Sequence, residues 1–233
     1  DDMFVKEKLE VVKKEFEDPS LVFYNNSKIF INEEGKVIRE EEAERIEITE
    51  RKRVDKFLKR LTYNLSSECV RKEIVDVEKL KYIGYTVDIV MAYFAINYGG
   101  KLVKDSRKLT LFRVHRGSYF AYGERLGFED FLKKNAESYG FGLSVSERIK
   151  EAFKGTYVEK LALAEYLSDL FYYTVYSSPS FNNRVKSVLA ALQYFLTTRN
   201  KSGVKLVGAS LLFLVSPKRL YTLLYNRYLK NLS

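Results

Sequence analysis

Apolar positions in the first forty residues come in short runs. Residues 1–17 mix charge with a spaced stripe, Phe4, Leu9, Val12 and Phe16, which predicts an amphipathic helix stopped by Asp18-Pro19. Leu21-Val22-Phe23-Tyr24, Ile29-Phe30-Ile31 and Val37-Ile38 follow, separated by Asn25-Asn26-Ser27 and Glu33-Glu34-Gly35. β-branched and aromatic runs punctuated by Asn and Gly predict a three-stranded meander, too small to stand alone and therefore docked on a larger body. Residues 39–56 are dense in charge, with Glu40-Glu41-Glu42 and Arg51-Lys52-Arg53, and read as an exposed linker or helical lead-in.

Beyond this the periodicity is helical. The expected helices are 54–65, 68–83, 86–98, 105–112, 116–126, 129–139, 146–153, 158–176 and 181–199, followed by a terminal pair. Gly84, Gly99-Gly100, Gly127, Gly140, Gly155, Pro179 and Gly203 supply the breaks. An echo at a spacing of about 100 residues sets Tyr93-Phe94 and Lys101-Leu102-Val103 against Tyr194-Phe195 and Lys205-Leu206-Val207. It extends to Tyr122-Gly123-Glu124-Arg125-Leu126 and Tyr225-Asn226-Arg227-Tyr228-Leu229, and a duplication would make two helical bundles in tandem.

The terminal pair is expected over Val204 to Leu214 and Lys218 to Leu232, joined by Val215-Ser216-Pro217. Ser216 suits the N-cap, its hydroxyl accepting an orphan N–H, and Pro217 suits the first helical position. On a helical wheel Lys218, Arg219, Thr222, Asn226, Arg227 and Lys230 occupy one half, while Leu220, Tyr221, Leu224, Tyr228 and Leu232 occupy the other.

Charge sharpens this pattern. The formal net charge is +9, and the nine Lys and Arg beyond Asp169 face no acidic residue, so residues 1–169 balance to zero. Two helices joined by a short turn, the second carrying an unrelieved basic arc, suit contact with a polyanion and entry into a major groove.

Other chemistry is sparse. The single cysteine, Cys69, excludes an internal disulfide and a thiolate metal cluster, and is expected in the core of a helix. The single histidine, His115, stands between Arg113 and Arg116 without triad partners, which fits a turn or a phosphate contact better than a general base. Glu40-Glu41-Glu42 lacks the ligand periodicity of a metal site, and no phosphate-binding Gly-rich loop is present. No catalytic residue, metal ligand, cofactor or small-molecule substrate is therefore expected. Phe171-Tyr172-Tyr173 and Tyr176 could stack on unpaired bases, although such clusters more often anchor helices. The absence of a signal pattern or membrane-length apolar run points to a reducing interior, and for a DNA binder to cytoplasmic, nucleoid-associated placement. Abundant Lys and Glu beside a single glutamine, Gln193, lean toward a hot-living source.

Residues 19–24 with 31–38, the charged linker, and Asn226-Arg227-Tyr228 with Leu232 together resemble the archaeal transcription factor B family, relatives of eukaryotic TFIIB. The resemblance implies a mostly α fold, tandem cyclin-like helical repeats with a small N-terminal β-meander. Its parts would be 1–52 (helix, degenerate ribbon and linker), 53–127 (first repeat) and 128–233 (second repeat ending in a helix-turn-helix). No cysteine lies in residues 1–50 and the family's Gly-Pro-Glu-Trp segment is missing, so the ribbon's zinc is not carried over. The implied function is non-enzymatic promoter binding, with duplex DNA, a TATA-binding protein and RNA polymerase as partners and no membrane. Arg219, Asn226 and Arg227 are the candidates for base contact, and Lys205, Lys218 and Lys230 for phosphate, with Thr222 on the same face. The competing reading is a helical adaptor whose basic face meets an acidic protein or RNA; an enzyme with an unrecognised site is a third.

Overall fold

The computed structural model describes residues 2–49, 64–84, 86–115 and 126–231. The chain forms two compact units, Asp1–Tyr122 and Gly123–Ser233. The helices expected at 54–65 and 116–126, Arg51-Lys52-Arg53 and Leu232 lie wholly or mainly outside the described residues. The described residues contain eight α-helices and a six-stranded mixed sheet.

Unit 1 is built on two long parallel strands, β2 (Leu21–Ile31) and β6 (Lys101–Arg113). Short antiparallel strands flank them. β1 (Met3–Phe4) and β4 (Ile46–Ile48) line β6, while β3 (Val37–Glu40) and β5 (Glu68–Val70) line β2. A parallel pair needs a crossover, and the chain between β2 and β6 contains α2 (Val77–Ile83) and α3 (Val87–Tyr98). On one face α1 (Lys8–Glu15) and its flanks set Val5, Val11, Val12 and Phe16 against Leu21, Tyr24, Val103 and Leu109. The expected stripe over residues 1–17 is therefore redrawn: Phe4 lies in β1 and Leu9 is exposed.

Three further expectations for unit 1 are corrected. Asn25-Asn26-Ser27 is no turn; β2 runs straight through it. The chain breaks register beside Asn26 and Ser27 instead, so the local preference for non-extended backbone is expressed as a bulge. All three side chains are buried and bonded: Asn25 Oδ1 accepts from Lys104 Nζ (2.9 Å), Asn26 Nδ2 donates to Thr110 Oγ1 (3.0 Å), and Ser27 Oγ donates to the Asp105 carbonyl (2.8 Å).

The helix expected at 105–112 is strand β6. Its Lys108-Leu109-Thr110-Leu111 carries the two-residue alternation of a strand, and ladders on both edges override helix propensity. Within 68–83, β5 and a 3₁₀ turn replace the first half of the expected helix, so Cys69 is a half-buried strand residue. The linker expected at 39–56 holds β4 and the end of β3, with Glu40, Glu41 and Glu47 paired to Lys108, Lys104 and Lys101.

Unit 2 comprises α4 (Phe128–Ala152), α5 (Glu159–Ser177), α6 (Phe181–Thr198), α7 (Lys201–Val215) and α8 (Pro217–Lys230). Successive helices pack on one another around Phe171, Val175, Ala190, Ala191, Leu206, Phe213, Leu220 and Tyr221. The two helices expected either side of Gly140 are one, because Gly140 and Gly142 serve close approach rather than termination. A Cβ at Gly140 would lie 3.2 Å from the Tyr173 ring, and one at Gly142 3.4 Å from the Asp169 carboxylate.

The expected segment 1–52 and residues 53–122 of the expected segment 53–127 fall in one compact unit, and residues 123–127 in the other. The hundred-residue echo is helical in both copies at Tyr93-Phe94 and Tyr194-Phe195 but parts at the next motif, where Lys101-Leu102-Val103 opens strand β6 and Lys205-Leu206-Val207 lies inside helix α7; its match at Tyr122-Gly123-Glu124-Arg125 lies outside the described residues.

Candidate nucleic-acid interface

Helix α8 starts where Ser216-Pro217 directs it. The Leu212 carbonyl accepts from the Ser216 amide (2.7 Å) at the end of α7, and the Ser216 carbonyl then accepts from Arg219 (3.1 Å) and Leu220 (3.3 Å). Pro217 takes the first helical position, and the connection is one residue long. Ser216 occupies the N-cap position, but its side chain makes no capping bond, contrary to expectation.

Aromatic residues hold α8 against the rest of unit 2. Tyr221 is buried and its hydroxyl donates to the Val175 carbonyl of α5 (2.8 Å). Tyr225 donates to the Leu126 carbonyl (2.8 Å), and the Leu126 amide donates to the Tyr228 hydroxyl (3.0 Å), tying α8 to the start of α4. The Phe131 ring meets Tyr225 and Tyr228 at centroid distances of 5.4 and 4.9 Å. Each tyrosine thus buries a ring and uses its hydroxyl, which fixes the rotation of α8 about its axis.

That rotation decides what faces solvent. Lys218, Arg219, Thr222, Asn226, Arg227 and Lys230 are all exposed on one half of α8, with Leu220 and Tyr221 buried on the other. Among the described residues Lys218, Arg219 and Arg227 make no ion pair. The Thr222 hydroxyl donates back to the Lys218 carbonyl (3.0 Å), so its hydrogen is already engaged. Lys205 is exposed as well, but it lies on α7, eleven residues before the turn and about 16 Å along the helix from it. The structure therefore groups six of the seven predicted residues and sets Lys205 apart.

Two other predicted features have structural roles. Arg184 donates to the Pro179 carbonyl (2.7 Å) and the Leu214 carbonyl (3.2 Å), so one of the nine unbalanced charges caps the end of α7. Tyr172 and Tyr176 stack on Tyr139 at 4.8 and 5.6 Å between centroids, and Phe171 is buried. In this cluster Tyr173 is the exposed ring.

Sequence reasoning missed the charged interior of unit 1. Glu68 on β5, Asn25 on β2 and Lys104 on β6 stand in register across three strands. Lys104 Nζ pairs with Glu41 Oε1 (3.2 Å) and borders a cavity of about 630 Å³ walled by Glu41, Glu42, Ala43, Glu44 and Ile46. Lys28 is 4% exposed, and burial pulls its ammonium down to about 8, with Glu41 opposing. Neither oxygen of the Glu68 carboxylate makes a hydrogen bond of good geometry, and burial, reinforced by Asp88, pushes it up to about 9. The signal was the polar pair Lys104-Asp105 following Lys101-Leu102-Val103, hidden by the helical reading of 105–112. Among the described residues no group of His, Cys, Asp and Glu is arranged to hold a metal ion, and no helix is long and apolar enough to cross a membrane.

No protein-family model, curated protein or solved structure matches the chain.

Proposed function

We propose that the chain is a non-enzymatic DNA-binding protein that lays α8 in the major groove of duplex DNA, with α7 bracing it from behind. The observation that carries this reading is the segregation on α8: six exposed polar and basic residues, with exposed Leu223 among them, opposite buried Leu220 and Tyr221, in a stretch with no acidic residue after Asp169. Arg219, Asn226 and Arg227 have the hydrogen-bonding geometry to read guanine and adenine edges, while Lys218 and Lys230 neutralise phosphate. Lys205 contacts the backbone away from the groove. The resemblance to transcription factor B enters through unit 2, whose five helices end in a helix-turn-helix as one cyclin-like repeat would. A role in basal initiation, with a TATA-binding protein and RNA polymerase as partners, follows from that resemblance.

The test is binding to duplex DNA across a salt series, with wild type beside the Lys218→Ala/Arg219→Ala/Arg227→Ala/Lys230→Ala variant. Each phosphate contact adds about 0.9 to the slope of log affinity against log salt, so loss of the Lys218 and Lys230 contacts flattens it by about 1.8, while loss of Arg219 and Arg227 lowers affinity at every salt concentration. Equal slopes would remove α8 from the interface.

A further inference from the structure

Helices α6 and α7 carry aliphatic side chains on their outer faces. The core-facing side of α6 is made by Ser187, Ala190 and Ala191, and that of α7 by Gly203, Leu206, Ser210 and Phe213. Opposite these stand Leu189, Leu192 and Leu196 on α6 and Val204, Leu211 and Val215 on α7, all between 42% and 82% exposed. An outward face on a solvated helix is ordinarily polar, so six aliphatic side chains there lack the partner that their spacing calls for.

The two rows lie side by side. A Cβ at Gly203 would sit 2.9 Å from Phe195 Cα, and Arg184 Nη1 reaches the Leu214 carbonyl at 3.2 Å, so the helices run antiparallel in one register from end to end. In that register Leu196 is level with Val204 and Leu189 with Leu211, each to within about 3 Å along the axis. Gly208 falls between Val204 and Leu211 with open space where a Cβ would be, which notches the ladder. The exposed side chains recur at intervals of three and four on α6 and of seven and four on α7, with Gly208 in the gap, the spacing at which a third helix interlocks with a pair.

Charge selects the occupant. The exposed charges on α6, on α7 and in the connection between them are Lys186, Arg199, Lys201 and Lys205, and neither helix carries an acidic residue. A second copy laid on this face would oppose cation to cation. Interfacial lipid-binding faces carry Trp and Phe spread among Leu, whereas the six side chains of this ladder are leucine and valine, and the exposed aromatic of these two helices, Phe181, stands at the first residue of α6, two turns before Leu189. We propose that α6 and α7 form the docking face for an acidic amphipathic helix of a partner protein, its apolar stripe on the ladder and its Asp and Glu on the flanking Lys and Arg. The α8 face takes no part.

The probe is a yeast-displayed library of amphipathic helices with leucine fixed at the a and d positions and the flanking positions randomised among Glu, Gln and Lys, sorted against the full chain. Glu should be enriched over Lys at the flanks. A selected peptide should bind at least about tenfold more weakly to a Leu189→Ser/Leu211→Ser variant whose circular dichroism is unchanged. It should bind undiminished to Arg219→Ala/Arg227→Ala, which separates this face from α8. Enrichment of Lys or Gln, or equal binding to the serine variant, would overturn the proposal. So would cosedimentation with phosphatidylserine vesicles, or a concentration-dependent dimer, that the serine variant abolishes; the first would reassign the face to lipid and the second to self-association.

Discussion

Glu68 is placed where a carboxylate is poorly served. It faces Asn25 across the β5–β2 ladder, yet Asn25 Nδ2 and both Glu68 oxygens go unpaired. Folding therefore holds a proton on Glu68 that the unfolded chain releases above its ordinary value of 4.5, and the native group gives it up near 9. Because the native state binds the extra proton, this group lowers stability as pH rises from 4.5 to 9 and leaves it flat beyond. Lys28 acts oppositely and elsewhere: its folded value of about 8 lies below the ordinary 10.5, so its contribution rises with pH from 8 to 10.5. Asp169, pushed up to about 7 by burial and Glu165, titrates in the same range in both proteins, so Glu68 is isolated as the difference between Glu68→Gln and wild type in urea denaturation between pH 5 and 8. Glu68→Gln should match wild type near pH 5 and exceed it by about 1–3 kcal/mol at pH 8, and parallel pH profiles would show that Glu68 is solvated. Capping gives a second contrast. Asn200 Oδ1 accepts from the Gly203 amide (2.9 Å) at the start of α7, whereas the Ser216 side chain caps nothing at the start of α8. Asn200→Ala should cost about 1 kcal/mol and Ser216→Ala less than about 0.5; reversed magnitudes in thermal melts would contradict the assigned caps.

Glycine shows how one substitution takes opposite signs within a single helix. In α7 a Cβ at Gly203 would collide with the backbone of Phe195, while one at Gly208 would meet nothing within 4 Å. Gly208→Ala should stabilise unit 2 by about 0.5–1 kcal/mol through helix propensity, and Gly203→Ala should destabilise it by about 1–3 kcal/mol through overpacking. Equilibrium denaturation decides, and two stabilising alanines would mean that α6 and α7 stand further apart than described. The same ambiguity explains what the sequence could and could not disclose. Ser216-Pro217 is a local signal with one reading, so the terminal pair and the basic half of α8 were legible to within a few residues. Gly140 was not, because a glycine that ends a helix and one that admits a tyrosine ring look alike without the partner helix. Asn25-Asn26-Ser27 and residues 105–112 failed for the related reason that a sheet decides them: their side chains and backbones find partners on strands far away in sequence. Lys104, Glu41 and Glu68 were invisible as a group for as long as β6 was read as a helix.

Charge is unevenly divided over the molecule, and the division makes the DNA proposal separable from the sheet. Residues 123–233 carry sixteen Lys and Arg against nine Asp and Glu, whereas residues 1–122 carry twenty-four against twenty-two. Many of the cations in unit 1 are spent internally: Arg45 and Arg107 on Glu15 and Asp105, Lys101 on Asp18 and Glu47, Lys104 on Glu41, Lys108 on Glu40. A paired cation releases little when it meets phosphate, because its counter-charge must be displaced first. On α8, by contrast, Lys218, Arg219 and Arg227 are unpaired among the described residues, so counterion release on DNA is open to them. Unit 2 also has its own core, from Phe171 through Tyr221, and the tyrosines that orient α8 bond within 126–231. Residues 123–233 expressed alone should therefore unfold in one cooperative transition and reproduce the salt slope of the full chain on duplex DNA to within about one unit. Residues 1–122 should bind without a steep slope. A fragment of unit 2 that folds but loses most of the slope would place the DNA contacts in unit 1 and leave the basic half of α8 a solvated face.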